Sequence, residues 1–162
     1  MALGDNTLQA ARGNGERGRK PYLVSTVVNF ATALSDKGSA LAAADAIPAI
    51  AVKKGTCILN AGIEVDTLQT SATALTLDLG TGVDADVFVD GFNAASAAAG
   101  TVAQNAAAFQ PVMCTAADNI DLTIATLTGT LSTGKYRVWA ILMDCTDPGS
   151  LTADEVDRDT LA

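Results

Sequence analysis

The sequence predicts an all-β fold, an antiparallel β-sandwich or jelly roll led by an extended N-terminal arm. Three observations carry that prediction. Apolar residues alternate with polar ones at a period of two, most regularly where Ile120, Leu122 and Ile124 interleave with Asp121 and Thr123. Such alternation turns one face of a strand inward and the other to water. Turn residues recur at intervals of about 8 to 12 residues, the spacing of short strands in sandwiches and jelly rolls. Ahead of the first strand, residues 1–21 show no periodicity at all.

Met1 to Pro21 is rich in Gly, Arg and Asn, with Gly13, Gly15 and Gly18 set among charges. Nothing there offsets the entropy of ordering, so residues 1–21 read as an extended arm. A folded domain is expected over residues 22–146. Tyr22 to Phe30 (YLVSTVVNF) is β-branched and aromatic, a strand, and Ser35-Asp36-Lys37-Gly38 supplies a turn. Ser39 to Ala46 is alanine-rich and closed by Pro48, which leaves a short helix or an irregular strand.

Ile47 to Gly80 reads as two or three antiparallel strands. Gly55, in Lys53-Lys54-Gly55-Thr56, is free to take the positive φ of a tight turn, and Ile63, Val65, Leu75, Leu77 and Leu79 then alternate with Glu64, Asp66, Thr76 and Asp78. A further strand is expected within Thr81 to Ala94, with a turn at Asp90-Gly91. Ala95 to Ala108 is too small and polar to pack well and reads as a long loop or a short helix. Phe109 to Met113 restarts the apolar pattern, and Asp118-Asn119 turns it. After Ile124 the chain breaks at Thr128-Gly129 and turns at Ser132 to Lys135. Tyr136 to Met143 (YRVWAILM) is apolar on both faces apart from Arg137, which fits a central strand covered on both sides. Asp147-Pro148-Gly149 ends it, leaving residues 147–162 as an acidic tail or frayed last helix.

Composition narrows the function. At 162 residues there is room for one domain that buries roughly 70% of its unfolded surface. The chain is 49% hydrophobic but 4% aromatic, so Ala, Val, Leu and Ile must fill a thin core, and sharing burial with identical neighbours is one remedy. A net charge of -8 and a pI near 4.2 oppose a nucleic-acid partner, which needs a basic face. No apolar run of about 18 residues is present to span a bilayer, and the first residues lack a signal-peptide pattern, so synthesis in a reducing cytoplasm and no membrane partner are expected. Charge is divided along the chain: Arg12, Arg17, Arg19 and Lys20 lie in the arm, and Asp144, Asp147, Asp154, Glu155, Asp157 and Asp159 toward the C-terminus. These are solvated tails, or the basic arm docks on an acidic partner.

The chain has no histidine, which removes Ser-His-Asp and Cys-His nucleophiles, the common zinc sites and the usual general base near neutral pH. Cys57, Cys114 and Cys145 are far apart in sequence and form no CxxC pair, so no zinc site or disulfide framework is indicated and they read as small buried hydrophobes. Asp84, Asp86 and Asp90 are the nearest thing to a calcium set. Their spacing fails the twelve-residue loop, however, and turn capping accounts for them. Paired carboxylates also serve glycosidases, but a sugar cleft needs aromatic walls, and the chain has one Trp, two Tyr and four Phe. Trp139 reads as core. No catalytic, metal or cofactor site is expected, and the chain reads as a non-enzyme.

The runs KKGTCILNAGIEVDTLQTSATALTLDLGTGVDADVFVDGF and AADNIDLTIATLTGTLSTGKYRVWAILMD resemble small virion proteins of tailed bacteriophages, of the head decoration or cement type. The likeness lies in the order and spacing of the turn-Gly-Thr before a hairpin, the AGIEV strand, the TLDLG turn, the VDG segment and the final LSTGKYRVWA strand. It spans roughly Val24 to Asp144. The resemblance implies a jelly-roll-like β domain, commonly a homotrimer, that binds the major capsid protein on the outer surface of the head. In that setting Arg12, Arg17, Arg19 and Lys20 are the expected capsid contacts. The rival reading on the same fold is a receptor- or carbohydrate-binding module of a virion fibre or spike.

Overall fold

The structure, a computed structural model, describes residues 21–104 and 110–145. The arm with Arg12, Arg17, Arg19 and Lys20, and the acidic tail over 147–162, lie outside the described residues. Those described form β1 (Tyr22–Asn29), α1 (Phe30–Lys37), β2 (Ala46–Val52), β3 (Thr56–Thr67), β4 (Ala72–Thr81), β5 (Val89–Asn93), β6 (Val102–Gln104), β7 (Val112–Met113), β8 (Asp118–Gly129) and β9 (Lys135–Asp144).

Two antiparallel sheets pack face to face. Sheet A has the order β1-β9-β3-β6, with β7 also paired to β3, and sheet B the order β2-β8-β4-β5. Apart from the two-residue β7, the strands pair first with last and inward from there: β1 with β9, β2 with β8, β3 with β6, β4 with β5. A long hairpin rolled up in this way is a jelly roll, and it is the all-β sandwich that the alternation predicts.

Burial follows the alternation. Leu75, Leu77 and Leu79 of β4 and Ile120, Leu122 and Ile124 of β8 are buried against Ile63 and Val65 of β3 and Val138, Ala140 and Leu142 of β9. Three aromatic residues contribute to the core: Phe30, Phe88 and Tyr136 are fully buried. The Phe30 and Tyr136 rings meet at 5.2 Å and 57°, the tilted arrangement that aromatic quadrupoles favour. The Tyr136 hydroxyl donates to the Ala94 carbonyl at 3.0 Å, which satisfies its buried polar end.

Several local expectations are corrected. Phe30 to Lys37 is a helix, not the end of a strand and a turn: the Asn29 side chain accepts from the Ala31 N–H, and Gly38 closes the C-terminus in the left-handed region at φ 68. Ser39 to Asp45 forms a turn, with the Asp45 carboxylate accepting from the Ala42 N–H and from Lys37 Nζ. Both bonds hold the Asp45 carboxyl below its usual range, the Lys37 bond most. Asp90-Gly91 lies inside β5, where the ladder with β4 shifts register between Leu77 and Leu79. Part of the expected loop after Ala95 is β6, and Phe109 lies outside the described residues. No described helix is long and apolar enough to cross a membrane.

Candidate interaction surface

The outer faces of the two sheets differ in chemistry. On sheet B the outward positions of β4 and β8 carry Thr76, Asp78, Asn119, Asp121 and Thr123, with Thr76 and Thr126 hydroxyls bonded at 2.6 Å across the ladder. Burial first, and then the nearby Asp118, push the Asp121 carboxyl above its usual range. This is the polar exterior an antiparallel sheet normally presents.

Sheet A breaks that rule. Tyr136, Val138, Ala140 and Leu142 of β9 point into the core, so Arg137, Trp139, Ile141 and Met143 point out and are half-buried. The strand is central, between β1 and β3, but among the described residues no element covers its outer face. Trp139 is therefore not a core residue: it stands opposite Gly62 on β3. A Cβ at Gly62 would lie 2.6 Å from the indole and 2.7 Å from the Ala103 carbonyl, so only glycine admits the ring so close to the sheet. On the flanking strand β1, Leu23 and Val27 are 68% and 41% exposed, and at the far border of the sheet Val102 of β6 and Met113 of β7 are 51% and 49% exposed.

Arg137 is the one cation among the described residues of β1, β3, β6, β7 and β9 that points outward from the middle of this face. Its Nε lies 3.2 Å from Glu64 and its Nη2 3.4 Å from Asp66. Pairs this exposed contribute roughly 0.2–1 kcal/mol each. Their main effect here is to neutralise Arg137 in the middle of the face, while Lys135, two residues earlier on the same side of β9, is exposed at the strand's end.

The remaining candidate residues fall elsewhere. Asp78 accepts from the Gly91 N–H at 2.7 Å, and the Thr81 hydroxyl accepts from the Val83 and Asp84 N–H groups at 3.3 and 3.4 Å, so the acid-rich loop is held by turn capping. Asp86 shares a hydrogen bond with Asp84, and this, more than burial or the neighbouring acids, raises its carboxyl above the ordinary range. The three cysteines, distant in sequence, converge at the start of β3. Cys57 and Cys114 are buried and Cys145 is half-buried; burial raises the Cys57 thiol, and the adjacent Cys145 adds to the shift. Arg12, Arg17, Arg19 and Lys20 are not among the described residues. The apolar outer face of sheet A was signalled in sequence by YRVWAILM, but it was read there as covered.

No protein-family model matches the sequence, and no curated protein matches it. Solved structures do match the fold. One is a chain in the capsid of Ralstonia phage GP4, at 15% identity and TM-score 0.56, covering 79% of this chain and 86% of that one. A second is in the capsid asymmetric unit of cyanophage Pam1, at 20% identity and TM-score 0.57, covering 76% and 84%. A third is in the acid-stable capsid of Helicobacter pylori bacteriophage KHP30, at 12% identity and TM-score 0.54, covering 78% and 89%. This chain is thus similar, over most of its own length and theirs, to β-domains found in phage capsids, and what the likeness establishes is the fold.

Proposed function

We propose that this chain is a structural protein of a tailed-phage virion, a decoration or cement subunit that binds the outer surface of the head as a homotrimer and stabilises it. The observation that carries the reading is the shared fold with chains of three phage capsids over 76% or more of this chain. The uncovered apolar face of sheet A adds to it, because a face of that kind belongs in an assembly. The work is mechanical. DNA packed inside a head presses outward, and a subunit that bridges neighbouring shell proteins resists the expansion. Contacts of standard size bury about 1,600 Å² in total, and a trimer that engages several at once holds far more firmly than one site alone.

In this reading the partner is the major capsid protein, and the arm, residues 1–21, reaches it. Arg12, Arg17, Arg19 and Lys20 meet carboxylates of the shell, with the domain over residues 22–146 standing outside. The protein is made in the host cytoplasm and ends on the virion surface. The test is to delete residues 1–20 and pellet the variant with expanded heads that lack the protein. The expected result is much weaker co-sedimentation with an unchanged circular-dichroism spectrum and melting temperature. Undiminished binding would remove the arm from the contact, and failure of the full chain to bind heads would remove the cement role.

A further inference from the structure

The exposed apolar residues of sheet A sit at its two opposite borders. Tyr22, Leu23 and Val27 mark the β1 border, and Val102 and Met113 the β6–β7 border; among the described large apolar residues exposed to this degree, only Val83 lies elsewhere. We infer that the two borders bind each other between copies of this chain, β1 of one against β6 and β7 of the next, head to tail around a closed ring. The inference rests on the homotrimer proposed above and names its contact.

Electrostatics restricts where a second copy can sit. Each copy carries a net charge of -8, so like chains repel unless they meet where charge is low. The two borders of sheet A offer such a place: β1 (YLVSTVVN) and the described residues of β6 and β7 hold no Asp, Glu, Lys or Arg, and of the charges on the strands between them Glu64 and Asp66 are engaged by Arg137 of their own chain. The outer face of sheet B, with Asp78 and Asp121, would set acid against acid.

The edges point the same way. A bare edge strand invites pairing, and proteins blunt it with proline, bulges, charge or shortness. In sheet B, β2 carries Pro48 and a register shift beside it, and β5 is five residues long with Asp90 in it. In sheet A, β6 and β7 are three and two residues long. β1 is eight residues long, uncharged and free of proline, so none of these devices blunts it within the strand. Pairing β1 with its own copy about a twofold axis would cover one border and leave Val102 and Met113 in water. Joining unlike borders covers both on every copy, and closure keeps the assembly finite.

The test uses the purified full chain, Leu23→Glu and Met113→Glu, each followed by light scattering on dilution. Both positions are about half or more exposed in the single chain, so the fold survives, as circular dichroism will verify. Wild type is expected as a trimer and each variant as a monomer at the same concentration. Mixing the two variants should raise the mass again, because each retains the border that the other has lost. Trimers that persist in both variants would place the threefold contact elsewhere and overturn this inference while sparing the homotrimer. Met113→Glu alone remaining associated while Leu23→Glu dissociates would mean that β1 pairs with itself, and a mixture that stays monomeric would likewise overturn the pairing of unlike borders. A monomeric wild type would remove the homotrimer and this contact together, with head binding still read separately by sedimentation.

Discussion

Single residues show where physics and pattern part company. Asp121 occupies the polar slot of the most regular alternation in the chain, yet its Oδ1 is buried without a hydrogen-bond partner, and burial together with Asp118 raises its pKa. A carboxyl whose folded pKa is raised contributes stability that is full below its ordinary value and is lost as pH climbs through the raised one. At neutral pH its charge therefore opposes folding. Asp121→Asn is expected to stabilise the protein at pH 7 by about 0.5 kcal/mol, a figure kept small because the side chain is largely solvated. In urea titrations the advantage should shrink as pH falls toward 4; an advantage that did not change with pH would assign it to something other than this proton. Trp139 is the opposite case. Its place in an apolar run pointed to the core, and nothing within that run tells that β9 has one open face, because what covers a strand is decided by chain segments far away. Gly62 is the local clue that went unread: a glycine inside a β-branched strand marks a close approach.

At the level of elements, legibility followed the strength of the local pattern. β4 and β8 were readable because apolar and polar residues alternate along them, and β9 because its run is long and apolar. β6 and β7 were not: they are three and two residues long, and pairing with β3 rather than any propensity makes them strands. Helix α1 was missed because the β-branched run of β1 flows straight into Phe30, so the aromatic looked like the end of the strand. Its signals were nevertheless present, with Asn29 to cap the first turn and Gly38 to stop the last. Since the helix is only eight residues long and such helices are marginal alone, the cap matters. Asn29→Ala is expected to lower stability by about 1 kcal/mol, visible as a lower urea midpoint with unchanged slope. Equal midpoints would show that Phe30, buried against Tyr136, holds the helix unaided.

For the whole molecule, the division into a polar acidic sheet and an apolar one governs how it behaves in company. The jelly-roll class was legible from turn spacing and alternation, but the strand order was not, because pairing first strand with last is a long-range choice. Of the candidate site, the arm cations were chosen by charge alone, whereas the apolar face emerged only once β1, β3 and β9 lay side by side. Copies that repel through their net charge but join through an uncharged seam should associate more tightly as salt rises, since the Debye length shrinks from about 30 Å at 0.01 M to about 3 Å at 1 M. The dilution midpoint of the proposed trimer is expected to fall several-fold between those salts; a midpoint that rose would mean that ion pairs, not apolar contact, hold the copies together. The pairing of β1 with β9 has one more consequence. Tyr22 lies beside Leu142 in the ladder, so the chain enters and leaves the folded body at the same corner. A short linker there would join the two ends without disturbing either sheet, and new termini opened in an exposed turn such as Lys53-Lys54 would give a circular permutant whose fused cargo projects from a different side of the molecule.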